Sequence, residues 1–177
     1  MAVTAQMVKD LREMTGAGMM DCKNALTETD GNIEKAIEIL REKGLAKAAK
    51  KAGRIATEGL VAAAYSKDGS VASIVEVNSE TDFVAKNQEF VDFVQKLAEL
   101  AQNIKSDDLE ALLAADYYGE GAVKDVLNAK IAKIGENLSI RRFETFNAPG
   151  VVYSGYIHGN GKIGVIVGLK TAATFDE

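Results

Sequence analysis

Apolar positions over the first 44 residues recur at helical spacing and are broken twice by turn residues. Met7, Val8, Leu11 and Met14 fall on one side of a first helix that Thr4 can cap. Gly16-Ala17-Gly18 closes this helix in a tight turn. A second helix starts near Met19, with Cys22, Ala25 and Leu26 on one side. Asp30-Gly31 is a turn signal, and Asn32 is a good N-cap because its side-chain oxygen can accept from an unpaired backbone N–H. The third helix carries Ile33, Ala36, Ile37 and Leu40 at i, i+3, i+4, i+7 and is expected to stop at Gly44. Three short amphipathic helices enclose a very small core, which suits a docking module better than an enzyme. Residues 46–57 are alanine-rich and basic and read as a helical linker.

From Gly59 the pattern alternates. Leu60 to Tyr65 and Val71 to Val77 read as two strands of a hairpin that turns at Asp68-Gly69. A long helix from about Gln88 to Ile104 follows, with Phe90, Val94, Leu97, Ala101 and Ile104 on one stripe. Helices near 108–115 and 122–134 come next, then a strand from Leu138 to Phe146. After Pro149 the chain repeats itself. Gly150 to Tyr156 aligns with Gly59 to Tyr65 and, with one residue inserted at the turn, Ile163 to Leu169 aligns with Val71 to Val77. The fold class predicted is α+β. A three-helix domain spans 1–45, a linker 46–57, a first α+β half 58–146, and the start of a repeated second half 147–177. The second half has no helix after its hairpin within the 177 residues, so the chain reads as a shortened form whose last hairpin is uncovered and prone to self-association or fraying.

Composition narrows the chemistry. Hydrophobic residues make up 47% and charged residues 27%, enough for a full core and a solvated surface. The net charge of -5 argues against a nucleic-acid binder, which usually carries a basic face. Lys47, Lys50, Lys51 and Arg54 form a local basic stretch that invites an RNA-binding reading. No aromatic residues interleave for base stacking, which favours a solvated linker face. One cysteine, Cys22, and one histidine, His158, exclude an internal disulfide and a Cys/His zinc site by count. No apolar run approaches the ~18 residues of a membrane span, and the N-terminus has no signal core. A cytoplasmic protein is expected.

Gly159-Asn160-Gly161-Lys162-Ile163-Gly164 matches Gly-x-Gly-x-x-Gly. The next element reads as a strand, whereas a dinucleotide site needs a helix there, so these glycines serve a hairpin turn. No P-loop pattern occurs, and nothing in the sequence pairs His158 with Cys22 or a serine as nucleophile and base. The chain reads as a non-enzyme without a cofactor or direct nucleotide binding. The informative stretch is Glu76-Val77-Asn78-Ser79-Glu80-Thr81-Asp82-Phe83-Val84-Ala85-Lys86, which begins as a strand and ends at a helix. Two readings stand beside each other. Phe83 packs inward with Thr81 or Asp82 as a helix cap, or the Asp-Phe pair protrudes as a functional loop.

That stretch resembles the central signature of the elongation factor Ts family. The segment from Leu11 to Leu26, Leu-Arg-Glu-Met-Thr-Gly-Ala-Gly-Met-Met-Asp-Cys-Lys-Asn-Ala-Leu, is similar to the family's N-terminal signature. Lys130 to Asn137 followed by Arg141-Arg142-Phe143 is also family-like. The resemblance implies a ubiquitin-associated-like N-terminal domain and a core of two related α+β halves. It implies a guanine-nucleotide exchange factor that releases GDP from elongation factor Tu. By resemblance, a loop of Thr81, Asp82, Phe83 and Val84 wedges near the magnesium and phosphate site of the partner's nucleotide domain. His158 presses on the same domain. Leu11, Arg12, Thr15, Gly16, Met19 and Met20 grip another of its helices. The rival reading is a ubiquitin-associated-like adaptor that recruits a partner without changing it.

Overall fold

The computed structural model describes residues 3–104 and 108–170. They form an α+β fold with seven helices and five strands among the described residues. The described residues up to Arg54 make one compact unit together with Asp125–Asn137. Ile55–Lys124 and the described residues from Leu138 onward make a second.

In the first unit, α1 (Ala5–Thr15), α2 (Met19–Glu28) and α3 (Ile33–Lys51) enclose Val8, Leu11, Cys22, Ala25, Leu26, Ala36 and Leu40. Burying each large aliphatic side chain contributes about 1.5–3 kcal/mol. The punctuation follows the sequence reading. Thr4 Oγ1 accepts from the Met7 N–H at 3.2 Å, and Asn32 Oδ1 accepts from the Lys35 N–H at 3.0 Å. Gly16, at φ 65°, donates its N–H to the Arg12 carbonyl at 2.8 Å and ends α1 in the left-handed region that favours glycine.

The third helix does not stop at Gly44. It runs seven residues further, through Lys51. A mid-helix glycine costs about 1 kcal/mol relative to alanine. The residues after it, Leu45-Ala46-Lys47-Ala48-Ala49-Lys50-Lys51, are strong helix formers, and Ala48 is buried. Much of the expected linker is therefore the end of α3. Two of its basic residues have structural partners: Lys47 pairs with Asp21 at 2.8 Å, and Lys51 donates to the Gly135 carbonyl at 2.6 Å.

That last bond involves the end of α7 (Val123–Ile134), which lies between elements of the second unit in sequence. Its Asp125–Asn137 region belongs to the helical unit. Arg41 pairs with Asp125 at 2.8 Å, and Asn137 Nδ2 donates to the Arg54 carbonyl at 2.8 Å.

In the second unit, β1 (Glu58–Tyr65), β2 (Ala72–Ser79) and β3 (Leu138–Phe146) form an antiparallel sheet in the order β1-β2-β3. The turn between β1 and β2 is held by Asp68 Oδ1, which accepts from Ser66 Oγ, Ser70 Oγ and the Ser70 N–H. Helix α5 (Gln88–Ala101) covers one sheet face with Phe90, Phe93, Val94, Leu97, Ala98 and Ala101, all buried. The buried Ser73 hydroxyl donates to the Ala98 carbonyl. The short helix α6 (Leu109–Ala114) follows α5 in the chain.

Strands β4 (Val151–His158) and β5 (Ile163–Lys170) form a separate antiparallel hairpin. One face of this hairpin, which the sequence reading left uncovered, packs on β1 and β2. Gly164 makes this approach possible: a Cβ there would stand 2.6 Å from Val61 Cγ1 and 2.8 Å from Ile74 Cδ1. Two backbone bonds fasten the hairpin, Val61 N–H to the Gly161 carbonyl at 2.7 Å and Tyr153 N–H to the Gly69 carbonyl at 2.8 Å. The other face, with Val152, Tyr156, Ile163, Val165, Val167 and Leu169, remains exposed.

Candidate functional site

Strand β2 ends at Ser79, and three residues later the chain enters the one-turn helix α4 (Asp82–Ala85), with Thr81 at its N-cap position. Ser79 Oγ donates to the Thr81 carbonyl at 2.9 Å and tightens the junction. Val84 and Ala85 point into the fold and anchor the turn. Phe83 points the other way and is 80% exposed, so the inward-packing alternative for this residue does not hold. Lone exposed aliphatics are ordinary, but a phenylalanine held this open on an anchored turn contributes little to the fold and is free to bury against another surface.

Asp82 sits beside Phe83 and receives the Lys86 ammonium at 2.6 Å, one helical turn on. The hydrogen bond and charge of Lys86 hold the Asp82 carboxyl below its ordinary value. Asp82 is therefore an anion at neutral pH.

His158 ends β4, at the exposed tip of the second hairpin. Its Nδ1 lies 3.1 Å from the Tyr156 hydroxyl, and the two rings stand 5.7 Å apart. The Lys162 N–H donates to the His158 carbonyl at 3.1 Å and closes the tip. The glycines of the Gly-x-Gly-x-x-Gly run lie in this turn and the following strand, as expected. Gly159 and Gly161 have φ of 61° and 86°.

In the helical unit the sequence-predicted residues divide. Leu11 is fully buried in the three-helix core and has no side-chain surface to offer a partner, a correction to its place in the contact set. Thr15 shapes the α1–α2 turn, donating to the Leu11 carbonyl at 2.7 Å and accepting from the Ala17 N–H at 3.3 Å. Gly16 supplies the left-handed turn. Arg12, Met19 and Met20 are exposed around it. Met14 joins them at 64% exposure, although its spacing from Leu11 assigns it to the core stripe. The signal for its outward position is Gly16: α1 ends at Thr15, one residue later, and has no following turn to cover Met14. Flexible, polarizable methionines on an exposed turn suit an apolar docking surface.

Among the described residues no group of three or more His, Cys, Asp or Glu side chains is placed to hold a metal ion. Cys22 is buried in the helical core. No described helix is long and apolar enough to cross a membrane.

The family model described as "Elongation factor TS" matches residues 80–175, beginning two residues before Asp82 and including the whole second hairpin. Elongation factor Ts of Clostridium tetani is 56% identical over 170 residues, covering 95% of this chain and 56% of the relative. That of Clostridioides difficile is 57% identical over 171 residues, covering 97% and 56%. That of Clostridium botulinum is 52% identical over 165 residues, covering 93% and 54%. The chain thus spans just over half the length of the curated relatives it matches. With the family model matching more than half of its residues, and the Asp82-Phe83 turn and the His158 hairpin both inside the match, this chain belongs to the elongation factor Ts family.

Proposed function

We propose that this chain is a guanine-nucleotide exchange factor that binds the nucleotide domain of elongation factor Tu and promotes GDP release during translation elongation. The observation that carries the reading is Phe83, an aromatic side chain exposed on a turn that Val84 and Ala85 lock from beneath. A rigid aromatic can enter an apolar gap at small entropic cost. Asp82 brings a fixed negative charge to the same point. A wedge of this kind displaces the partner's groups that hold magnesium against the nucleotide phosphates, and so weakens nucleotide binding. Linkage then requires nucleotide to weaken factor binding by the same ratio.

The helical unit supplies affinity through Arg12, Met14, Met19 and Met20, with Thr15 and Gly16 setting the turn. His158 adds a contact from the second hairpin. The factor itself needs no cofactor and forms no bond to nucleotide.

Release of labelled GDP from elongation factor Tu on mixing tests the proposal. Acceleration by the parent chain, and a loss of at least ~10-fold in Phe83→Ala, corresponding to about 1.4 kcal/mol in the release barrier, is the expected result. Tight complex formation without any acceleration would instead establish an adaptor.

A further inference from the structure

We propose that Lys162 is a positioning residue: through Glu58 it fastens the tip of the second hairpin to the start of β1, so that His158 and the Asp82-Phe83 turn meet a partner as one preformed surface. This rests on the exchange reading above and deepens it.

Glu58 opens β1 and pairs in register with Ser79, the last residue of β2, where the chain leaves for α4. Any group that grips Glu58 therefore grips the base of the Asp82-Phe83 turn. Lys162 does so with its ammonium, which pairs with Glu58 Oε2. The same residue's backbone N–H closes the turn that presents His158, at 3.1 Å from the His158 carbonyl. Lys162 thus has its main chain in one contact element and its side chain on the strand end that borders the other.

The neighbouring backbone supports this placement. The Gly161 carbonyl accepts from Val61 N–H, and Gly161 has φ 86°. A Cβ on Gly161 would come within 2.5 Å of Leu60 Cδ2, so the tip lies flat on β1 at this point.

The charges alternate across the junction. Asp82 responds to Lys86 first and, more weakly, to Lys162. Lys86 responds to Asp82 first and, more weakly, to Glu58. An exposed ion pair adds little to stability by itself. Its effect here is to remove freedom of the tip before binding, which preserves affinity that ordering would otherwise consume.

The test is GDP release from elongation factor Tu over a range of factor concentrations, with amide exchange at Val61 measured on the free chain. Lys162→Gln should raise the half-saturating factor concentration about two- to fivefold, the scale of one exposed ion pair, with a smaller change in the saturated rate. It should also speed exchange of the Val61 amide. Lys162→Arg should behave as the parent. Glu58→Gln should reproduce Lys162→Gln, and the double variant should be no worse than either.

Parent-like release by Lys162→Gln, with Phe83→Ala impaired, would overturn the inference and leave the exchange reading standing. So would additive losses in the double variant, because Lys162 would then touch the partner directly, or an unchanged Val61 amide. If Phe83→Ala and His158→Ala both release GDP like the parent, the exchange reading falls and this inference with it.

Discussion

Phe83 and Val84 are adjacent and apolar, yet one is 80% exposed and the other buried. The sequence marks Asp82-Phe83 as a strand-to-helix junction. It does not say which side chain faces out, because a helix of four residues is too short to show a period. Phe83→Ala should therefore slow GDP release strongly and leave the melting temperature nearly unchanged. A buried phenylalanine would cost about 3–5 kcal/mol on truncation, so a large melting shift would contradict the exposed placement. Leu11 and Met14 show the same difficulty at the end of α1, where helical spacing puts both on one stripe. Leu11→Ala should cost about 2–5 kcal/mol in stability. Met14→Ala should weaken complex formation while melting as the parent, and differential melting of the two variants checks both assignments. Asp82 adds a pH dependence of definite sign. Its folded carboxyl is lowered by Lys86, so the α4 stabilisation from this pair is present above the ordinary carboxylate range. It is lost as pH falls through the depressed value. Between about pH 5 and 8, GDP release should not vary on account of Asp82, as a comparison of pH profiles for the parent and Asp82→Asn would show.

At the scale of elements, both hairpins were legible from alternation and glycine punctuation, and so was their resemblance to each other. The structure adds a difference at their ends. Pairing in the first hairpin closes at Tyr65 opposite Ala72, whereas in the second it runs two residues beyond Tyr156 to His158 opposite Ile163. That extension carries the histidine out past the repeated pattern. Which face of the second hairpin is covered could not be read from alternation, since the strongly apolar positions Val165, Val167 and Leu169 lie on the exposed face. The covered face offers Tyr153 to the core, but at Gly164, opposite Val61 and Ile74, it has glycine where a strand usually offers a side chain. Close approach by a glycine backbone leaves no hydrophobic signature in a sequence. Gly164→Val should therefore push the hairpin away from Val61 and Ile74 although it makes the strand more apolar. The expected outcome is faster amide exchange at Val61 and Tyr153 and slower GDP release. Unchanged protection at both amides would mean that the sheet accommodates the added side chain.

At the scale of the whole molecule, sequence order and spatial grouping part company at one helix. α7 lies in sequence between elements of the second unit, but Asp125–Asn137 belongs to the unit formed with α1 to α3. No local pattern could show this, because the ties are non-local: Arg41 to Asp125, Lys51 to the Gly135 carbonyl, and Gly44 opposite Ala132. A cut made after residue 52 consequently does not remove a self-contained domain. It takes away α3, the helix beside Ala132, and with it Arg41 and Lys51. On the exchange reading, a chain lacking residues 1–52 should bind elongation factor Tu more weakly while retaining some GDP release at saturating concentration, since Phe83, Asp82 and His158 all remain. It should also show rapid amide exchange across residues 125–134, together with a lower melting temperature than the full chain. The two effects separate by measurement: saturation kinetics report the lost docking surface, and exchange along α7 reports the lost packing. If the truncated chain protects residues 125–134 as well as the full chain does, α7 does not depend on α3 for its order, and any lost affinity must then be charged to the docking residues of the helical unit alone.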